Sequence, residues 1–341
     1  MKNGKMILGI LLLLILVLAT TIFKTNSNNI SENKYIQKEI EIPKGSSLTK
    51  ASQILKSEGI IKSSNSFKNF MIDEGYDNKL QPGTFDLNSD MTDKQIAEII
   101  TTVVKKETIK ITIKEGLNNK EIANYLNEVL GIDKEIFLDL CNKPNEFDKN
   151  KFSFLKKFDD SMTLEGFLFP ETYEVYKDAS EKDIIIKLIG QFQKVYVENI
   201  ENKELNSSLK DIVIMASLIE AEAKLDEERA IIASVFYNRI DKNQKLESCA
   251  TVQYALGEHK ERLLYEDLEI DSPYNTYKYN GLPIGAIGNP GLNSILASIN
   301  PEETDYYFFT YNFDGTGTHT FSKTLKEHNI ATEKARKNRG N

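Results

Sequence analysis

The chain opens MKNGKMILGILLLLILVLATTIFKTN, and residues 6–23 carry no charge. A helix over them, rising about 1.5 Å per residue, spans roughly 27 Å, close to the ~30 Å hydrocarbon core of a bilayer. A run this apolar is expected to enter lipid or to be removed during export. Lys2 and Lys5 precede it and Lys24 follows, a bias that keeps the N-terminus inside and sends the rest outside. The following LATTIFKTN has no clean Ala-x-Ala ending, and no lipobox cysteine follows, so a retained anchor is expected over a cleaved signal peptide. Residues 1–5 then form a cytoplasmic stub, 6–23 a single-pass transmembrane helix and 24–39 a polar tether. The large domain is expected outside the cell membrane.

The 341 residues suffice for about two or three domains. A net charge of −8 and a pI near 5.3 argue against a nucleic-acid partner. The basic tail at residues 334–339 reads as a solvated end. Cys141 and Cys249 make no disulfide framework, and His259, His319 and His328 are scattered. Neither a metal nor another cofactor is expected.

Two stretches share one order of signals. IEIPKGSSLTKASQILKSEGII reads as strand, glycine turn and helix, and ITIKEGLNNKEIANYLNEVLGI repeats it. Ile42 matches Ile113, Gly45 matches Gly116 and Leu55 matches Leu126, a strand–turn–helix unit used twice. Between them, LQPGTFDLNSDMTDKQIAEIITT adds a turn, a strand and a helix capped by Ser89 or Thr92. The expected class is α+β, with a small α+β module at residues 40–105 and a larger mixed α/β domain at 106–341. That domain should hold helices near 118–130, 133–141, 181–200, 208–224 and 227–241, and a hairpin in YYFFTYNFDGTGTHTF.

DIVIMASLIEAEAKLDEERAIIASVFYNRI places Glu220 and Glu222 at the end of an apolar run. If the helix continues, Glu220 neighbours Ala216, Ser217, Ala223 and Lys224, mostly small residues that leave room for a ligand. Glu222 neighbours Leu218, Ile219, Leu225 and Asp226, which would crowd it. From spacing alone, two surface glutamates, one pairing with Lys224, remain the alternative.

MASLIEAEA, ERAIIASVFYNRI, LESCATVQYALG, SPYNTYKYNGLPIGAIGNPG and HTFSKTLKEHN follow one another along the chain, after LEGFLFPETYEVY at residues 164–176. This ordered set resembles the signature blocks of the YceG-like, MltG-type endolytic murein transglycosylase family, over residues of about 40 to 330. The resemblance implies a LysM-like fold for residues 40–105 and a YceG-like catalytic domain after it. It also implies that Glu220, the first glutamate of its block, is the catalytic acid. Ser217, Tyr237, Asn238, Tyr254, Asn275 and Tyr277 lie in the matching blocks and are the candidates for binding sugar hydroxyls or acetamido groups. Arg239, His319 and His328 read rather as residues of the fold. The chain departs from the pattern at Cys249, where many relatives carry aspartate, so a carboxylate there cannot be essential here.

Glycoside hydrolysis usually needs two carboxyl groups. The resemblance implies a reaction that needs one: cleavage of the MurNAc–GlcNAc bond with the muramic C6 hydroxyl attacking its own C1. An intramolecular nucleophile replaces the activated water, and one glutamate serves first as acid and then as base. The implied partners are nascent peptidoglycan strands, the membrane and peptidoglycan synthases. A wall-binding scaffold of the elongation machinery and a hydrolytic muramidase remain open as alternatives.

Overall fold

The structure is a computed structural model describing residues 36–102, 107–258, 260 and 262–340. The expected anchor at 6–23, most of the tether and His259 lie outside the described residues. Among the described residues, no helix is long and apolar enough to cross a membrane. The chain divides into two compact units, Met1–Lys105 and Lys106–Asn341.

The first unit runs β1 (Gln37–Ile42), α1 (Leu48–Ser57), α2 (Ser64–Asp73), β2 (Gly83–Asn88) and α3 (Asp93–Thr101). β1 and β2 pair antiparallel with Ile40 opposite Phe85. Alternation along the strands turns Ile40, Ile42 and Leu87 onto Leu55, Phe67, Met71 and Ile96, the core of this unit. Thr92 caps α3 in a capping box with Gln95, while Ser89 accepts the Ile36 N–H instead.

The second unit begins with the same plan: β3 (Thr108–Thr112), α4 (Asn119–Leu130), α5 (Lys134–Cys141) and β4 (Thr172–Tyr176), with β3 and β4 antiparallel. Gly45 and Gly116 take left-handed φ values of 81° and 82° at equivalent turns. Ser47 and Asn118 cap the helices that follow. The chain therefore folds strand–helix–helix–strand twice.

Then come α6 (Glu181–Asn199), α7 (Leu209–Glu222), α8 (Arg229–Asp241), α9 (Cys249–Leu256), α10 (Leu292–Ile299), β5 (Phe308–Tyr311), β6 (His319–Ser322) and α11 (Leu325–Arg339). β5 and β6 form the expected hairpin. Strands among the described residues pair only as three two-stranded antiparallel sheets.

α7 is the centre of this unit. Ile212, Val213 and Ala216 join one core cluster, with Phe154, Leu164 and Leu188. Met215, Leu218 and Ile219 join another, with Ile232, Phe236 and Ile287. A helix apolar on all sides is buried on all sides, which leaves its end as the place where polar groups meet the surface.

Candidate active site

α7 stops at Glu222; Ala223 is extended, and its N–H closes on Ile219 O at 2.8 Å. Residues 223–226 therefore do not continue the helix, and the side-chain neighbours assigned to them on a wheel are absent. Positions i and i+2 of a helix do not face each other. The two glutamates accordingly enter different surroundings.

Glu220 is closed off. Its Oε2 accepts from Gly291 N at 3.0 Å and Ser294 Oγ at 2.9 Å, at the start of α10. Its Oε1 lies 3.1 Å from Arg229 Nη1, and the two side chains are 7% and 9% exposed. Arg229 also reaches Asp226 Oδ1 at 2.8 Å. Both oxygens are thus committed, Oε1 to a buried ion pair and Oε2 to two hydrogen bonds. This corrects the expectation that small neighbours leave room for a ligand beside Glu220: the space is filled from residues about seventy positions downstream.

Glu222 lines a cleft of about 800 Å³ with Gly116, Asn118, Glu165, Cys249 and Tyr254. Ser248 Oγ donates to its Oε1 at 2.6 Å. Its Oε2 has no hydrogen-bond partner among the described residues. Burial raises its pKa above the usual carboxyl range, opposed by the Ser248 hydrogen bond and by the charges of His319 and Lys224. The crowding expected of Glu222 does not occur, because Leu225 and Asp226 lie beyond the helix end.

A second carboxyl, Glu165, lines the same cleft. It accepts from Asn119 N at 3.0 Å, Tyr254 Oη at 3.1 Å and Asn289 Nδ2 at 3.3 Å. Those donors favour the charged form, yet burial outweighs them and pushes the pKa up to about 8. Glu165 sits in LEGFLFPETYEVY, flanked by Leu164, Phe167 and Leu168. The one acid within the apolar run 164–170, it stands apart from Glu171 and Glu174 further on, and that is the signal that could have singled it out.

The loop at 288–291 clamps the β3–α4 turn against this region. Gly116 N–H donates to Asn289 O at 2.8 Å, and Asn289 N–H to Leu117 O at 2.9 Å. A Cβ on Gly288 would fall 2.4 Å from Gly116 O, so only glycine permits the approach.

Of the six candidate binding residues, Tyr254 lines the cleft and Tyr277 reaches its rim, its hydroxyl 3.1 Å from Cys249 Sγ. The structure gives the other four backbone partners. Ser217 Oγ donates to Ile214 O at 2.7 Å and accepts from Ile287 N at 3.1 Å. Tyr237 Oη donates to Ser298 O at 2.8 Å, and Asn238 Nδ2 to Thr304 O and Tyr306 O, both at 2.9 Å. Asn275, fully buried, donates to Leu268 O and Ile270 O, both at 2.8 Å. These four tie the fold together and do not meet Glu222.

Arg239 donates to Tyr307 O at 2.6 Å and to the carbonyls of Lys245 and Leu246, both at 3.0 Å. His319 pairs with Glu228 at 2.7 Å, and His328 stacks on Phe308. Among the described residues, no group of three or more His, Cys, Asp or Glu could hold a metal ion.

The family model described as the YceG-like family matches residues 40–334. An endolytic murein transglycosylase of Bacillus subtilis is 37% identical over 307 residues, covering 86% of this chain and 84% of the relative. One from Streptococcus pneumoniae is 36% identical over 154 residues, 43% of this chain and 28% of that longer protein. The crystal structure of a putative YceG-like protein from Listeria monocytogenes superposes with a TM-score of 0.54 at 33% identity, covering 87% of this chain and 99% of that one. With its blocks in order, its sequence matched along most of its length and its fold shared, this chain belongs to the YceG-like family.

Proposed function

We propose that the protein is an endolytic murein transglycosylase, with Glu222 rather than Glu220 as its acid. It cuts the MurNAc–GlcNAc bond of nascent glycan strands, leaves a 1,6-anhydro-MurNAc end and so limits strand length. The observation that carries this reading is the position of Glu222: a half-buried carboxyl on an open cleft, its pKa raised by burial and one oxygen fixed by Ser248. A carboxyl kept protonated by burial can give its proton to the leaving oxygen. It can then accept the proton of the C6 hydroxyl as that oxygen closes on C1.

The relatives named endolytic murein transglycosylases support the substrate and reaction class. The strand–helix–helix–strand order of residues 37–88 supports reading the first unit as a LysM-like module that positions glycan. The apolar run at 6–23 supports a single-pass anchor, with the catalytic unit outside the cell membrane beside peptidoglycan synthases.

Glu165 in the same cleft is the one observation that favours a hydrolytic muramidase. Its three donors and its raised pKa make it a poor base for water. Mass spectrometry of purified glycan digested in ¹⁸O-labelled water tests the point. The expected products carry 1,6-anhydro ends without label; ¹⁸O at C1 would overturn the transglycosylase reading.

A further inference from the structure

Glu165 is the buried acid that the one-carboxyl mechanism leaves without a task. It lies where three segments distant in sequence meet within the second unit. Asn119 N–H comes from the start of α4, Asn289 Nδ2 from the loop before α10, and Tyr254 Oη from α9. Tyr254 in turn packs on Tyr274, ring centroids 4.8 Å apart and planes tilted by 50°. Behind this pair is a smaller cavity of about 190 Å³, lined by Glu165 and Tyr274 together with Phe167 and Val213. Glu165 and the two tyrosines therefore form a partition, with open space on both sides.

A partition with a cavity behind it is not held by packing alone, so the hydrogen bonds must fix it. We propose that Glu165 is a positioning residue for glycan: its carboxyl, anchored on Asn119 and Asn289, holds the Tyr254 ring as the cleft wall against which a sugar packs. The substrate class rests on the function proposed above. An aromatic ring offers a sugar its apolar face, and the chain has no tryptophan to do so. The donors surrounding Glu165 explain why an acceptor with two oxygens stands there. The groups facing it from the packed elements are Tyr254, Tyr274, Cys141 and Glu121. None of these four is a cation, while Lys120 lines the cleft and Lys210 the smaller cavity alongside Glu165.

The test measures binding of soluble glycan strands by full-length protein carrying Glu222→Gln, so that cleavage is suppressed. Adding Glu165→Ala should weaken binding by about tenfold or more, the scale of a lost buried hydrogen-bond anchor. Adding Glu165→Gln should recover most of that loss, because the Tyr254 hydroxyl can turn to accept from the new amide. Tyr254→Phe removes only the hydroxyl facing Glu165 and should weaken binding while lowering the melting temperature by no more than a few degrees, which keeps the test open should the alanine variant fold poorly. Undiminished binding in Tyr254→Phe would overturn the proposal. So would Glu165→Gln binding as weakly as Glu165→Ala, since an acid would then be needed for itself. Cleavage persisting in Glu222→Gln would instead count against the acid assignment, with the binding comparison still readable at early times.

Discussion

Glu220 and Glu222 leave the last turn of one helix in opposite directions: Glu220 Oε1 lies 3.1 Å from a buried Arg229, and Glu222 Oε1 lies 2.6 Å from Ser248 on an open cleft. On the reading proposed here the first is a stability element and the second the acid, and substitution separates them. Glu222→Gln should cut turnover by about 10²–10⁴, the usual worth of a general acid, with little change in melting temperature. Glu220→Gln removes the charge that balances Arg229, and breaking a buried pair from one side costs about 3–5 kcal/mol at worst. Its melting temperature should fall by several degrees, at about 2–4 °C per kcal/mol for a domain of this size. Turnover assays and thermal melts of the two variants check this. Loss of activity in Glu220→Gln alone, at unchanged stability, would restore Glu220 as the acid.

Ser248→Ala should move the pH profile without abolishing it. The Ser248 hydrogen bond favours the charged carboxylate and so opposes the rise that burial imposes on Glu222. Without it the carboxyl keeps its proton to higher pH. The acid works while protonated, so the alkaline limb of kcat should shift upward. A limb that stays in place or moves down would show that Glu222 does not set it.

Much of the fold was legible because its determinants are local. The matched turns at Gly45 and Gly116, the cap Thr92 and the hairpin at residues 308–322 follow from a few adjacent residues each. The site was legible only as a neighbourhood. The helix wheel ran on to Lys224 and Asp226 because nothing as strong as glycine or proline marks the stop at Glu222. What fills the space beside Glu220, Gly291 and Ser294, arrives from a distant segment. Likewise, the backbone carbonyls that occupy Asn238 and Asn275 are tertiary partners, invisible to a motif that marks both residues as polar.

Cys249 and Cys141 should react very differently. Burial raises the pKa of both thiols, but Cys249 is open to solvent and lines the cleft beside Glu222, whereas Cys141 is buried and pushed far above its usual range. Under brief treatment with iodoacetamide, mass spectrometry should find Cys249 alkylated and Cys141 intact. Activity should fall with the extent of alkylation, since the adduct occupies the cleft, and Cys249→Ala should make the enzyme resistant. Full alkylation with activity retained would show that glycan does not pass this rim.

Glu165 should give the protein a stability that declines with rising pH. Its folded-state pKa is raised to about 8, while an unfolded glutamate titrates near its ordinary value of 4.5. Below both values the acid is neutral in either state, and its preference for the folded interior is fully expressed. Between them the unfolded chain releases the proton and the folded chain keeps it, so each step up in pH favours unfolding. Above about 8 both states are ionised and the slope disappears. Glu222 acts in the same direction, because burial raises its pKa too. The melting temperature of the wild type should therefore fall from pH 5 towards pH 8, within the window the Glu165 pKa sets. Glu165→Gln has no proton to release and should flatten that fall, leaving the part due to Glu222. An unchanged slope in Glu165→Gln would mean that Glu165 is ionised in the folded protein at neutral pH, and its role in the cleft would then be that of a charge.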